Sequence, residues 1–289
     1  EGKFNDFSMN EEERYELYLA AWLHDCGKVA TPPHVVDKGT KLETIFDRIE
    51  LIKTRMELLK KDQEIAFLKR QLNGQSNIEF DDEYYKAISE LDSSMKFLEE
   101  CNVGGEFMKP ELQEKVRSIG AKKLNIFNRE QPFLSEEEIQ NLNIPKGTLL
   151  PDEREIINDH IVITIEMLEQ LPYPKNLKNI PEFAGGHHEK IDGTGYPKGL
   201  NESQMSTQAK IMAIADIYEA LTAADRPYKE GKKLSQAMRI MGFMKNDYHI
   251  DEELFEIFVT SGVYKEYAEK HVAKTQIDEV DEKSVLGKE

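Results

Sequence analysis

The sequence predicts an all-α chain, and three observations carry that prediction. Apolar residues recur at steps of three and four through the patterned segments, two of those segments are heptad seams, and Pro and Gly residues mark the interruptions. A chain of 289 residues can hold one large domain or two smaller ones. With 55 acidic against 38 basic residues the formal charge is −17, which argues against a duplex nucleic acid footprint and against contact with anionic membranes. A phosphate-bearing ligand must therefore meet local cations or metal. Cys26 and Cys101 offer no disulfide framework, so a reducing cytoplasm is the expected setting. No signal peptide and no apolar run of membrane-spanning length is present.

Residues 8–23 read as the first helix, with Ser8-Met9-Asn10-Glu11 as its capping box and Tyr15, Tyr18, Leu19 and Trp22 as its apolar stripe. Gly27 is the expected stop, which puts His24 and Asp25 in the last turn and Lys28 one turn beyond His24. Pro32, Pro33 and Gly39 then break the pattern. Leu42, Ile45, Ile49, Ile52, Met56 and Leu59 form one heptad seam, and after Asn73-Gly74 the residues Tyr84, Ile88, Leu91, Met95 and Leu98 form another. Residues 41–102 are thus expected to be an inserted antiparallel helical hairpin with arms about 35 Å long. Its outer face reads as charged, without an apolar patch. The hairpin is accordingly expected to be dispensable for folding and to serve as a homodimer contact.

Residues 103–147 read as a connecting segment of short helical pieces, including a capping box at Ser135. One helix is expected from Pro151 to about residue 171, with His160 in its middle among isoleucines and valine. Residues 246–289 form a C-terminal helical extension.

The sharpest stretch is His187-His188-Glu189-Lys190-Ile191-Asp192-Gly193-Thr194-Gly195-Tyr196-Pro197. Neighbouring histidines at a helix end can both bend toward one point, and the carboxylates and glycines after them suit a metal site beside a tight loop. Downstream, Asp216 sits in the most apolar helix of the chain, where an isolated carboxylate would need a cationic partner. Arg226 and Lys229, just beyond that helix, are the natural phosphate contacts in an otherwise acidic chain. The metal-ligand candidates are therefore His24, Asp25, His160, His187, His188 and Asp216. Imidazole and carboxylate without thiolate favour iron or manganese over structural zinc, and six ligands exceed what one open metal needs, so two ions are expected. Two adjacent metals sharing a hydroxide suit in-line displacement at phosphorus.

The residues His24-Asp25-Cys26-Gly27-Lys28 and the stretch from His187 to Pro197 resemble the two signatures of the bacterial HD-GYP phosphodiesterases, a branch of the metal-dependent HD superfamily. The likeness covers about residues 9–35 and 148–245. It implies an HD-superfamily helical bundle, cyclic di-GMP as ligand and linear pGpG or GMP as product. By the same resemblance the six candidates fall on metal positions, with Asp25 the expected bridge. Lys28 lies near the scissile phosphate, and Arg226, Lys229, Asp192, Gly193 and Tyr196 lie on the substrate side. The loop also serves protein contacts in the family. Members carry a further helix with a histidine ahead of the HD pair, and no histidine precedes His24 here, so the likeness accounts for two metal positions and not a third. Such modules commonly end a longer membrane-bound sensor. A catalytically weak cyclic-dinucleotide receptor, signalling through loop and hairpin, is the alternative, and a mononucleotide phosphohydrolase is a third reading.

Overall fold

The computed structural model describes residues 2–74, 78–105, 107–126, 129–223 and 231–288. In chain order, α1 (Glu11–Leu23) is followed by a 3₁₀ turn at Cys26–Ala30 and by a short α2 (Pro33–Val36). The long helices α3 (Ile49–Leu72) and α4 (Ile78–Asn102) precede α5 (Pro110–Gly120). An antiparallel ribbon of β1 (Lys123–Ile126) and β2 (Arg129–Pro132) pairs Leu124 with Gln131. Then come α6 (Glu136–Leu142), α7 (Pro151–Asn158), α8 (His160–Glu169), α9 (Ile180–Gly185) and α10 (Thr207–Thr222). The chain closes with α11 (Leu234–Asn246), α12 (Glu252–Thr260), α13 (Val263–His271) and α14 (Glu282–Leu286). It divides into two compact units, Glu1–Pro32 with Ile156–Glu289, and Pro33–Glu155.

The Pro33–Glu155 unit is built on the α3 and α4 seam. Ile52, Met56 and Leu59 face Leu91, Met95 and Leu98, all buried, and the same cluster takes in Val116 of α5, Leu124 of β1, Phe133, Leu134 and Leu142. The hairpin does not stand alone within this unit, because its proximal half supplies the centre of this core. Helix α3 also starts at Ile49 rather than near Leu42, since residues 43–47 close a tight loop in which the Glu43 carboxylate caps the Gly39 and Thr40 amides. Ile45 is left exposed. The outer face differs as well: Leu51, Leu58, Ile65, Leu68 and Leu72 are all exposed on α3.

In the other unit, α1 begins at Glu11, capped by Asn10 rather than Ser8. The Asn10 side chain accepts from the Glu13 amide at 3.0 Å, and the Asn10 amide donates to the Glu13 carboxylate at 2.8 Å. Tyr15, Tyr18 and Trp22 face outward, and Ala20 and Glu16 are the buried positions. The larger side chains mislead here because Glu16 is bound by a distant partner, its carboxylate accepting from the Asn179 amide at 2.6 Å and from the Asn179 side chain at 3.2 Å. Ala20 packs with Leu168, Ile180, Phe183, Ala184 and Met212. Residues from α10 to α14 share a second cluster around Tyr218, Met241, Phe255 and Tyr264. The helix expected from Pro151 to residue 171 is two helices, broken at Asp159.

Candidate metal centre

Four local devices aim the histidines and aspartates at one pocket in the Glu1–Pro32 and Ile156–Glu289 unit. His24 is the C-cap of α1, and Asp25 opens the 3₁₀ turn that follows. His160 is the first residue of α8, at the break from α7. His187 and His188 lie in the turn just past α9, and Asp216 projects from the middle of α10. The break at Asp159 thus matters to the site, since it lets His160 start a helix instead of lying buried in the side of one.

Three of the four imidazoles are oriented the same way. His24, His160 and His187 each place Nδ1 against the carbonyl oxygen three residues earlier, on Ala21, Ile157 and Ala184, at 2.7, 2.5 and 2.6 Å. A carbonyl only accepts, so Nδ1 carries the proton and Nε2 is left with a lone pair directed into the pocket. Nε2 of His160, Nε2 of His187 and Oδ1 of Asp25 are buried with no hydrogen-bond partner. Buried polar atoms without partners are costly, and three of them converging on one spot fit a metal ion.

The distances define two overlapping donor sets. His24, Asp25 and His187 form one, and His160, His187 and His188 form the other, each with ligand atoms within 4.8 Å of one another. Asp25 lies between them, with Oδ2 3.3 Å from His24 Nε2 and Oδ1 3.2 Å from His160 Nε2. Asp216 Oδ1 joins from the far side at 3.5 Å from His24 Nε2. The structure therefore brings all six candidate ligands together, and Lys28 with them, its Nζ donating to Asp25 Oδ2 at 2.5 Å.

The pocket calls for positive charge. Burial opposes a charge on His24, but its bonds to Asp216 and Asp25 outweigh that and push its pKa up to about 10, so that a proton and a metal ion compete for its Nε2. Burial likewise disfavours ionised Asp25, yet His160, His24 and Lys28 hold its carboxyl well below the usual range. His188, buried beside His187, is pushed down to about 3 and stays neutral, the form that binds metal.

The Gly-Tyr-Pro loop is anchored from beneath by Glu189, which the sequence reading grouped with the carboxylates of a metal site. Its carboxylate is buried and accepts from the Lys198 and Leu200 amides at 2.7 and 2.8 Å. Gly195 lies so close to this turn that a Cβ would stand 2.3 Å from the Lys190 amide nitrogen. Tyr196 stacks its ring on His188, centroids 4.8 Å apart. Asp192 and Gly193 have loop roles: Asp192 Oδ1 accepts from the Thr194 amide and hydroxyl, and Gly193 takes φ +79°. Arg226 and Lys229 fall outside the described residues.

Gly27 is the other residue whose role was missed, being expected only as a helix stop. It is buried against α8, where a Cβ would meet the His160 carbonyl oxygen at 2.1 Å, and its amide donates to Thr164 Oγ1 at 2.9 Å. This contact presses the Asp25 turn onto the start of α8. A glycine two residues after a His-Asp pair is the signal that could have found it.

Residues 136–254 match the HD domain family. The chain is 46% identical over 79 residues to a cyclic di-GMP phosphodiesterase of Pseudomonas aeruginosa, covering 27% of this chain and 18% of that protein. It is 40% identical over 93 residues to a cyclic di-GMP phosphodiesterase of Thermotoga maritima, covering 32% and 25%. Over 94 residues it is 36% identical to the 3′3′-cGAMP-specific phosphodiesterase 1 of Vibrio cholerae, covering 32% and 21%. The chain thus spans a quarter or less of the length of these three curated relatives. These comparisons agree with the resemblance drawn from the His187–Pro197 motif, which lies within residues 136–254. His24 and Asp25 lie outside the matched segment, before the Pro33–Glu155 unit, and the fold returns them to His160. Among the described residues no helix is long and apolar enough to cross a membrane.

Proposed function

We propose that this HD-domain chain is the catalytic part of a metal-dependent phosphodiesterase that opens cyclic di-GMP to linear pGpG or GMP. The observation that carries the reading is the placement of Asp25 between two sets of imidazole nitrogens, its Oδ1 and two Nε2 atoms buried without hydrogen-bond partners. His24, Asp25, His187 and Asp216 would hold one divalent ion, and His160, His188 and the other Asp25 oxygen a second, iron or manganese by the donor set. When bound, such ions supply Lewis acidity at phosphoryl oxygens and lower the pKa of a bound water.

The chain's own groups do the rest. The carbonyls of Ala21, Ile157 and Ala184 hold three imidazoles with Nε2 inward. Lys28, beside the carboxylate and partly exposed, offers its remaining N–H groups and its charge to a phosphate oxygen. Tyr196 covers one face of His188, and Glu189 holds the loop that carries Tyr196. Asp192, Thr194 and Lys198, exposed on that loop, form the surface offered to protein partners. The names of the relatives support a cyclic purine dinucleotide as the substrate class.

Turnover of cyclic di-GMP by protein loaded with manganese or ferrous iron is the test. Asp25→Ala and His188→Ala should each abolish turnover and lower metal content. Normal rate and normal metal in either variant would overturn the site, and tight cyclic di-GMP binding without turnover in the parent would favour the receptor reading.

A further inference from the structure

Helix α3 carries two apolar faces. The inner one, Ile52, Met56 and Leu59, is buried in the unit's core. The outer one recurs at intervals of seven: Leu51, Leu58, Ile65 and Leu72 are 48%, 44%, 48% and 87% exposed, and Leu68 beside them is 47% exposed. At 1.5 Å per residue the stripe runs about 32 Å. A seven-residue repeat keeps one face toward a second helix as both supercoil, so the spacing suits a helical partner.

Charge and register identify that partner. With Leu51, Leu58, Ile65 and Leu72 at the a positions of a heptad, Thr54, Lys61 and Leu68 fall at d. A parallel, in-register pairing of two identical helices sets each a residue against its own copy and confines the two Lys61 side chains to one layer. An antiparallel pairing would set the apolar a residues against d positions, Lys61 among them. The flanks point the same way. Glu50, Glu57 and Glu64 line the g edge, and Arg55, Asp62 and Lys69 the e edge. In the parallel pairing Glu64 faces the second copy's Lys69, while Arg55 stays bonded to Glu138 and the Phe133 carbonyl of its own chain, and Glu57 and Asp62 are the one like-charged match. Antiparallel pairing would bring Glu57 against Glu64 and Asp62 against Asp62. Lys53, Lys60 and Lys61 pair with Glu50, Glu57 and Glu64 within the helix at 2.7 Å, and Lys53 and Lys60 also pair with Glu99 and Asp92 of α4; the exposed glutamates can exchange these partners at small cost. The glutamate edge also disfavours an anionic lipid surface.

We propose that the outer face of α3 is a homodimer interface in which two copies of the chain associate through parallel, in-register α3 helices. This replaces the charge-only contact expected from sequence, and it does not depend on the proposed reaction.

Sedimentation equilibrium of the full chain should give a concentration-dependent dimer. Leu58→Lys combined with Ile65→Lys should weaken it by roughly tenfold or more, because two charges per copy then enter the seam, with helix content and unfolding temperature retained. Glu64→Lys should weaken the dimer, and adding Lys69→Glu should restore it. On mild oxidation Leu58→Cys should link to its own copy faster than Ser89→Cys, an exposed control on α4. A parent that stays monomeric at every concentration, a dimer indifferent to the double lysine variant, or Leu58→Cys linking no faster than the control would overturn the proposal.

Discussion

In the Pro33–Glu155 unit the buried lysines are fully employed, whereas in the histidine cluster buried acceptors are left facing one another. Lys41, 2% exposed, donates to the Leu142 and Ile144 carbonyls at 2.9 and 2.8 Å, and Lys38 donates to Asn141 at 3.0 Å and to Glu153 at 2.8 Å. Each ammonium finds acceptors on α6, just beyond it or on α7. Asp25, His160 and His187 are as carefully oriented, by carbonyls and by Gly27, yet the atoms so oriented have nothing to bond. A fold that spends glycine contacts and backbone carbonyls on aiming unpaired atoms is prepared for a charge that comes from outside the chain.

The comparison can be broken most directly at Gly27. Gly27→Ala must push the 3₁₀ turn off α8, because a Cβ there meets main-chain oxygen rather than a flexible side chain. The expected cost is about 4 kcal/mol or more, together with loss of metal. Thermal unfolding and metal analysis read the two effects, and an alanine variant with parental stability would mean that this contact does not set the site.

Leu98→Ala tests the satisfied side. Leu98 is fully buried in the α3 and α4 core, so truncation should cost about 3 kcal/mol in chemical denaturation. Metal content should stay at the parental level. Loss of metal in this variant would mean that the site depends on this core as well as on its own scaffold.

Glu189→Gln sharpens the role of the loop anchor. One carboxylate oxygen becomes an amide that can no longer accept from both the Lys198 and Leu200 amides, a loss of about 2 kcal/mol. The tyrosine fluorescence contributed by Tyr196 should change as its stacking on His188 loosens, and an unchanged spectrum with unchanged stability would remove the anchor.

The smallest effect concerns pH. Burial pushes the Asp251 carboxyl up, but Lys3, the Leu254 amide and Lys210 together hold it below its ordinary value of 3.8. Stabilisation from a carboxyl lowered in this way is complete above 3.8 and is lost as pH falls through the lower folded value. Asp251→Asn should therefore cost about 1 kcal/mol near neutrality, and its deficit relative to the parent should shrink below pH 3.8. A deficit that is constant with pH would assign the effect to packing.

Local rules made much of this chain readable without coordinates. Helical spacing, the inner heptad seams and the Ser135 capping box depend on neighbours within a turn or two, and the six donors declared themselves by residue type and motif. Where the sequence misled, the deciding contact came from far along the chain. The Tyr15, Tyr18 and Trp22 stripe faces outward because Glu16 is claimed by Asn179, 163 residues away. The supposed arm is core because Phe133, Leu134 and Leu142 close on it, and the outer leucines of α3 were hidden among charges that belong to the same helix turns. The sequence by itself determined that the chain would be helical and which side chains could bind a metal, since both follow from local periodicity and donor chemistry. Only the tertiary structure decided that Asp25 stands between His24 and His160, because that position depends on Gly27 having no side chain where the turn meets α8.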